Sequence, residues 1–508
     1  MGSQFEHAKP VQCFPYSFDL LCELLSEASG TPIESTRAKL HLTYFKEYLG
    51  HFQDRGCLTI VVEWQYTDRD FLEDYASYYV RCFNQKYKSI CVRLHFFQGA
   101  LDETFLAGQL STARSEIEIR LNQRYLGFLV VKPIPHKFVG RTCLRTYESS
   151  GRRFFPALCR CEAHLLGLRL HVESLAFQEQ DTVAAACATS ALWSVLHATA
   201  SLFRHKIYTP VEITKIATEK FPTLARSFPN AGLTSTQIAA AIQDVGLEPE
   251  VLPMREKAQL QSTAYAYLRA GIPCLLIAEL FDLTHPENPI PFDNKLEATH
   301  AVAVTGYSMG KSESELFQGT PTLRSSRIDK LYVHDDGVGP FSRLEFDGPC
   351  FKVDLGQSKP PRNVGFTMRS SWKGKKGTVG AVCFAPVKLI VPVYHKIRVP
   401  YALILRIVRD MDKSLRKDIP SYTEPNELQW DVFLTSATDF KKELRDAPDA
   451  RNEIKWAGLE RPLPRFLWRA TCFICGTRWV DILYDATDIA QSTSLEVATI
   501  WYDQTEPT

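Results

Sequence analysis

Helical patterns precede strand patterns in the most informative part of the chain. An alanine- and leucine-rich run at 184–203 has the length and composition of a buried helix. Shorter helical patterns follow, at 210–221, 234–245 and 264–270. Strand-like runs come last, at 274–280, 300–307 and 330–336. Helices followed by strands predict an α+β fold, in which the strands pair with one another as an antiparallel sheet.

The length of 508 residues is that of about three domains. Residues 1–172 mix helical and strand patterns, and we expect an α/β-like domain there. Residues 173–345 contain the helices-then-strands segment. Residues 346–508 combine a helical pattern with hairpin-like strands, and we expect a smaller α+β domain. Nothing in the two flanking segments indicates a particular chemistry.

Charge and apolar patterning exclude several classes of function. The 59 Lys and Arg residues nearly cancel the 58 Asp and Glu residues, so the net charge is +1. A chain this close to neutral has no field that attracts nucleic acid or an anionic membrane, and we expect neither as a partner. We find no secretory signal pattern and no apolar stretch long enough to span a bilayer. We therefore expect a cytoplasmic protein whose 14 cysteines are mostly reduced.

Three residues have the types and positions needed for nucleophilic catalysis by a thiol. Cys187 lies in the opening turn of the predicted helix, where the free N–H groups and the macrodipole favour a thiolate. His300 begins one predicted strand, and Asp335 ends the next one. Neighbouring strands bring such ends together, so the carboxylate could orient the imidazole. This order of residues predicts a Cys-His-Asp site.

The same segment resembles the papain-like cysteine peptidases of the bacteriocin-processing, double-glycine leader peptidase type, including their free-standing C39-like relatives. The matching pieces are CATSALWSVL, GLTSTQIAAAIQDVGLEPE, LRAGIPCLLI, HAVAVTGY and YVHDDGVGPF, in that order. The resemblance covers about a third of the chain. It implies a papain-like central domain, with Cys187 as nucleophile, His300 as general base and acid, and Asp335 as the orienting carboxylate.

The segment before the nucleophile departs from this family. Relatives place an oxyanion-hole glutamine six residues before the cysteine, where this chain has Asp181. Gln180 lies seven residues before Cys187 and Gln178 lies nine before it. A one-residue bulge would let Gln180 donate to the oxyanion beside the Cys187 N–H.

The resemblance implies a cysteine peptidase-like hydrolase that cleaves a peptide or isopeptide bond through an acyl-enzyme, with a peptide or protein as substrate. No metal or organic cofactor is expected. Two alternatives remain open. One is a papain-like acyl transferase, which would use the same three residues. The other is a catalytically degenerate protein-interaction module, which the shifted glutamine would favour.

Other residues are weaker candidates. Asp336 could replace Asp335 as the orienting acid, whereas a regular strand would turn His334 to the opposite face. Two sets of residues have types that bind zinc but lack a full set of four ligands: Cys472 with Cys475, and Cys159 with Cys161 and His164. The lysines of the segment SSWKGKKG, at 373, 375 and 376, are expected to form a solvated loop.

Overall fold

The structure is a computed structural model of the whole chain. It describes residues 9–54, 58–83, 87–108, 112–147, 151–181, 183, 185–221, 228, 232–287, 289–292, 299–310, 314, 321–353, 362–418, 427–489 and 495–502. These residues include both helices and antiparallel sheets, so the expected α+β class is confirmed. None of the described helices is both long and apolar enough to cross a bilayer.

The N-terminal part is built on a five-stranded sheet with the order β1-β2-β3-β4-β5. Its elements are β1 (Val11–Pro15), α1 (Phe18–Ser29), α2 (Ile33–Ala38), α3 (Leu40–Gln53), β2 (Leu58–Tyr66), α4 (Arg69–Ser77), β3 (Cys91–Gln98), α5 (Glu103–Gly108), α6 (Arg114–Arg124), β4 (Tyr125–Val131) and β5 (Val139–Leu144). Each pair of neighbouring strands is antiparallel, whereas an α/β domain has a parallel sheet. Apolar side chains are buried on both faces of this sheet, which explains why its strands are apolar runs without alternation.

The central part contains a closed antiparallel barrel. Its elements, with those that lead into it, are β6 (Arg153–Phe154), β7 (Cys159–Leu165), β8 (Leu168–Ser174), α7 (Cys187–Phe203), α8 (Pro210–Lys220), α9 (Ser235–Asp244), β9 (Leu247–Pro253), α10 (Lys257–Leu268), β10 (Cys274–Asp282), β11 (Ile290–Pro291), β12 (Thr299–Met309), β13 (Ile328–Asp335), β14 (Gly339–Gly348), β15 (Phe351–Val353), β16 (Arg362–Val364), β17 (Thr367–Arg369) and β18 (Val382–Tyr394). The order β10-β12-β13-β14-β17-β18 closes on itself because β10 pairs with both β12 and β18.

Strand pairing crosses both boundaries that the sequence suggested. Strands β17 and β18 follow residue 345 but complete the barrel, and β6 precedes residue 172 but pairs with β12. The hydrogen bonds of a sheet join residues that are far apart in sequence, so a change in local pattern does not mark where a sheet ends.

Helix α7 packs against the outside of this barrel, next to β12. Its side chains Leu192, Trp193 and Leu196 are fully buried, together with apolar residues of β10 and β12. Capping boxes at Thr209 and Thr234 begin the two helices that follow it.

The C-terminal part has a four-stranded antiparallel sheet in the order β19-β20-β21-β22. Its elements are α11 (Tyr401–Asp418), β19 (Leu428–Ser436), α12 (Ala437–Asp446), α13 (Asn452–Glu460), β20 (Phe466–Ile474), β21 (Thr477–Asp485) and β22 (Glu496–Trp501). Trp430 and Trp468 are buried in one apolar cluster with residues of the barrel and of α10. The C-terminal sheet therefore shares a core with the barrel.

Candidate active site

Cys187 is the first residue of α7, and a tight loop precedes it. The Asp181 carboxylate accepts hydrogen bonds from the N–H groups of Val183 (2.7 Å) and Ala185 (2.9 Å), and the Asp181 N–H donates to the Ala185 carbonyl. These bonds hold the chain in a turn, so the helix begins at Cys187 and not at residue 184 as the sequence suggested. The partly exposed thiol therefore lies at the positive end of the helix dipole.

The barrel brings His300 and Asp335 to the same place. His300 is the second residue of β12, Asp335 is the last residue of β13, and the two strands are antiparallel neighbours. His300 Nε2 lies 3.1 Å from Asp335 Oδ1. Cys187 also contacts the His300 side chain. Because Nε2 faces the carboxylate, Nδ1 is the ring nitrogen left for the thiol.

The electrostatics of this cluster favour a charged imidazole. Burial alone would lower the pKa of His300, but the charges of Asp336 and Asp335, with hydrogen bonds to Asp335 and Cys187, raise this pKa well above its usual value. A protonated imidazole next to a thiol stabilises the thiolate.

Asp335 and Asp336 differ in their surroundings. Asp335 Oδ1 accepts from the Gly337 N–H at 3.0 Å, and Asp335 Oδ2 accepts from a tryptophan. Asp336 Oδ1 lies farther from His300 Nε2, at 3.5 Å, and neither carboxylate oxygen of Asp336 has a hydrogen-bond partner among the described residues. Burial raises the pKa of Asp336 to about 6. Asp335 is therefore the better-oriented partner of the imidazole.

The tryptophan is Trp372, which sequence reasoning missed. Its indole Nε1 donates to Asp335 Oδ2 at 2.6 Å, and its ring packs edge-on against His300 with the ring centroids 5.0 Å apart. A Cβ atom at residue 337 would lie 2.5 Å from this indole, so only glycine fits there. The available signal was an aromatic residue in a glycine-containing loop, which is weak evidence of a site.

The loop that carries Trp372 is fixed to the barrel. Asp282 Oδ2 accepts from the Lys375 N–H at 2.6 Å, and the Gly380 N–H donates to the Trp372 carbonyl. Lys375 and Lys376 are exposed, as expected for a solvated loop, whereas Lys373 is half-buried.

The two glutamines lie on an extended segment beside α7. Phe177 and Thr142 exchange backbone hydrogen bonds, and the Glu179 N–H donates to the Val139 carbonyl. Gln178 is buried next to Ser190 and Ser194 of α7, and its Nε2 has no partner among the described residues. Gln180 follows on the same face of the extended segment and is half-buried.

His334 is not part of the cluster. Its ring packs edge-on against Phe341 and Phe177, with centroid distances of 4.7 and 5.6 Å. Burial lowers the pKa of His334 to about 3, so this imidazole is neutral at physiological pH.

One set of potential metal ligands coincides with this cluster. The donor atoms of His300, Asp335 and Asp336 all lie within 4.8 Å of one another. The candidate zinc ligands Cys472 with Cys475, and Cys159 with Cys161 and His164, form no such group within the described part of the chain. Cys472 is buried in β20, whereas Cys475 is exposed at the turn that follows it.

Comparison of the sequence with models of known protein families gave no match, and a search of curated proteins gave none either.

Proposed function

We propose that this protein is a papain-like thiol hydrolase that cleaves a peptide or isopeptide bond at Cys187. The observation that carries the proposal is the 3.1 Å contact between His300 Nε2 and Asp335 Oδ1, together with the interaction of Cys187 with the same imidazole. A helix that begins at Cys187 and packs beside antiparallel strands supports the papain-like part of the proposal, and α7 with the strands β10 and β12 forms such a pair of layers.

The reaction begins with attack of the Cys187 thiolate on the acyl carbon, which forms a C–S bond and a tetrahedral oxyanion. The imidazolium of His300 then gives its proton to the leaving amine as the C–N bond breaks. In the second half, neutral His300 takes a proton from water, and the hydroxide attacks the thioester. This step releases the acid and returns the thiolate and the imidazolium.

Gln180 is the proposed donor to the oxyanion, together with the Cys187 N–H. Gln178 lines one small cavity with Ser190 and Ser194 of α7. Gln180 is nearer than Gln178 to Cys187 along the chain, and it is half-buried. The turn at Asp181 joins this segment to the start of α7, which supports Gln180 and not Gln178 as the donor.

The test is the alkylation rate of each cysteine by iodoacetamide at pH 6, measured by peptide mass mapping. An ordinary thiol, with a pKa of about 8.5, is almost fully protonated at this pH. We expect Cys187 to react at least about tenfold faster than the exposed Cys350 and Cys475, and to lose this advantage in His300→Ala. Equal rates at all three cysteines would overturn the thiol-hydrolase proposal and favour the degenerate interaction module.

A reactive Cys187 still leaves hydrolysis and acyl transfer to be separated. The discriminating measurement is the product formed from an acylated enzyme in the presence of an added amine. Release of the free acid alone supports the hydrolase, whereas an amide of the added amine as the main product supports the transferase.

A further inference from the structure

A cavity whose lining does not include Cys187 lies between the barrel and the C-terminal part. Its volume is about 550 Å³, within the range of cavities that hold small organic ligands. Strand β9 and helix α10 form one wall, α11 forms another, and residues from the segment 321–326 complete the lining. A ligand here would contact both the barrel side and the C-terminal side of the chain.

Three arginines line this cavity. They are Arg255 after β9, and Arg406 and Arg409 on α11. The two on α11 are three residues apart, so they share one face of the helix. No carboxylate of the described residues lies within 4.0 Å of any of these three guanidinium groups. None of the three is therefore paired with a carboxylate of the described residues; Arg255 and Arg406 are exposed, and Arg409 is half-buried.

Arg409 shows most directly that an acceptor is missing. Its Nε is buried and has no hydrogen-bond partner among the described residues. A buried N–H without an acceptor is unfavourable, because it has lost its hydrogen bond to water and forms none within the protein. The cost is larger for a charged donor. An anion in the cavity would satisfy this group.

The acidic side chains of the cavity do not take this role. Glu250 accepts a hydrogen bond from the Tyr267 hydroxyl, and burial raises the pKa of its carboxyl group, which favours the neutral form. Glu256 is exposed at the N-terminus of α10 and makes no side-chain capping bond there.

The lining also contains polar side chains, such as Gln259 and Ser262, and a group of apolar ones. Leu252 and Met254 contribute from the β9 side, and Tyr401 and Leu405 contribute from α11. Inorganic phosphate or a small carboxylate would leave this surface in contact with water. The combination of arginines and apolar side chains fits a ligand that has an anionic head and an apolar body.

We propose that this cavity binds an amphiphilic organic anion, with its carboxylate or phosphate head on Arg406 and Arg409 and its apolar body against Leu252, Met254 and Leu405. The proposal does not depend on the chemistry at Cys187.

The experiment is calorimetric titration of the full chain with decyl phosphate, below the concentration at which the ligand forms micelles. Two matched ligands separate head from body: inorganic phosphate has the head alone, and decyltrimethylammonium has a similar body with the opposite charge. Decanoate then compares the two head groups. We expect saturable binding of one decyl phosphate per chain. Inorganic phosphate and decyltrimethylammonium should each bind at least about tenfold more weakly.

Two variants place the ligand in this cavity. Arg409→Ala removes the head-group contact, and Ala402→Trp fills space at the exposed start of α11 without removing charge. We expect each variant to weaken decyl phosphate binding about tenfold or more, while Arg120→Ala, at an exposed position on α6, leaves it unchanged. Thermal unfolding checks that each variant is folded. Equal binding of the phosphate and the cation, or unchanged binding in folded Ala402→Trp, would overturn the proposal.

Discussion

The indole N–H of Trp372 donates a 2.6 Å hydrogen bond to the carboxylate oxygen of Asp335 that does not face His300. The other oxygen of Asp335 is the one that contacts His300 Nε2. The carboxylate is therefore held from both sides, and Trp372 also covers the imidazole with its ring. The orientation of His300 depends on a residue from a loop outside the segment that carries the Cys-His-Asp pattern.

Replacing Trp372 with Phe should separate the two roles of the indole. The ring contact with His300 remains, but Asp335 loses one of its hydrogen bonds and is held less firmly. We expect the alkylation rate of Cys187 at pH 6 to fall several-fold in Trp372→Phe, and further, by about tenfold in total, in Trp372→Ala. The matched control is Trp456→Phe, since Trp456 is 69% exposed, and it should react as the unaltered protein does.

The two neighbouring carboxylates should differ in their effect on Cys187. Asp335→Asn keeps an acceptor near Trp372 but removes one of the two carboxylate charges next to the imidazole, which should lower the pKa of His300. Asp335→Ala removes both the charge and the acceptor. We expect Cys187 reactivity at pH 6 to fall in the order unaltered, Asp335→Asn, Asp335→Ala, by about tenfold at each step. A larger loss in Asp336→Ala than in Asp335→Ala would reverse the assignment of the orienting acid.

The sequence supported the prediction of the Cys, His and Asp cluster because each of these residues lies at the end of a locally recognisable element. A helix start can be read from a run of about 17 residues, and strand ends from runs of about eight. Closure of the barrel depends instead on pairing between β10 and β18, which are about 100 residues apart. Local pattern carries no information on such pairing. For the same reason, the local pattern did not predict the position of Trp372 next to His300. It also did not predict that the strands of the N-terminal sheet are antiparallel.

Burial of Asp336 should make the fold less stable as the pH rises. The pKa of this carboxyl is about 6 in the folded chain and about 3.9 in an unfolded one, so folding favours the protonated form. Stability from this group is therefore present at low pH and is lost between about pH 4 and pH 6, by about 2 kcal/mol. His300 titrates in the same cluster, and the comparison is cleanest in a His300→Ala background.

The comparison is between the unfolding free energy of the double variant, His300→Ala with Asp336→Asn, and that of His300→Ala alone. We expect the advantage of the double variant to be larger at pH 8 than at pH 4.5 by at least about 2 kcal/mol. The measurement is urea unfolding followed by tryptophan fluorescence at both pH values. Asp446→Asn, at an exposed position, is the control and should show no such pH-dependent difference. A gain of equal size at both pH values would contradict the assigned burial effect.

Asp181 should be a structural residue that positions the nucleophile. Asp181→Ala removes the acceptor for two backbone N–H groups, those of Val183 and Ala185, and should lower stability by about 1–2 kcal/mol. The start of α7 loosens as a result, so alkylation of Cys187 should also slow. Asp181→Asn retains one acceptor oxygen and should recover most of both losses, which would not happen if the negative charge itself were needed.

Gln180 should matter for acyl chemistry and not for the reactivity of the thiolate. Alkylation by iodoacetamide displaces iodide at a saturated carbon and forms no oxyanion, whereas hydrolysis of p-nitrophenyl acetate passes through one. We expect Gln180→Ala to leave the Cys187 alkylation rate unchanged and to lower the Cys187-dependent hydrolysis of this ester by about 10- to 100-fold. Gln178→Ala is the matched control, because Gln178 lies on the same face of the segment but next to Ser190.

If Gln178→Ala lowers hydrolysis and Gln180→Ala does not, the donor has been assigned to the wrong glutamine. Equal loss of alkylation and hydrolysis in Gln180→Ala would instead mean that this side chain supports the position of Cys187 and does not bind the oxyanion.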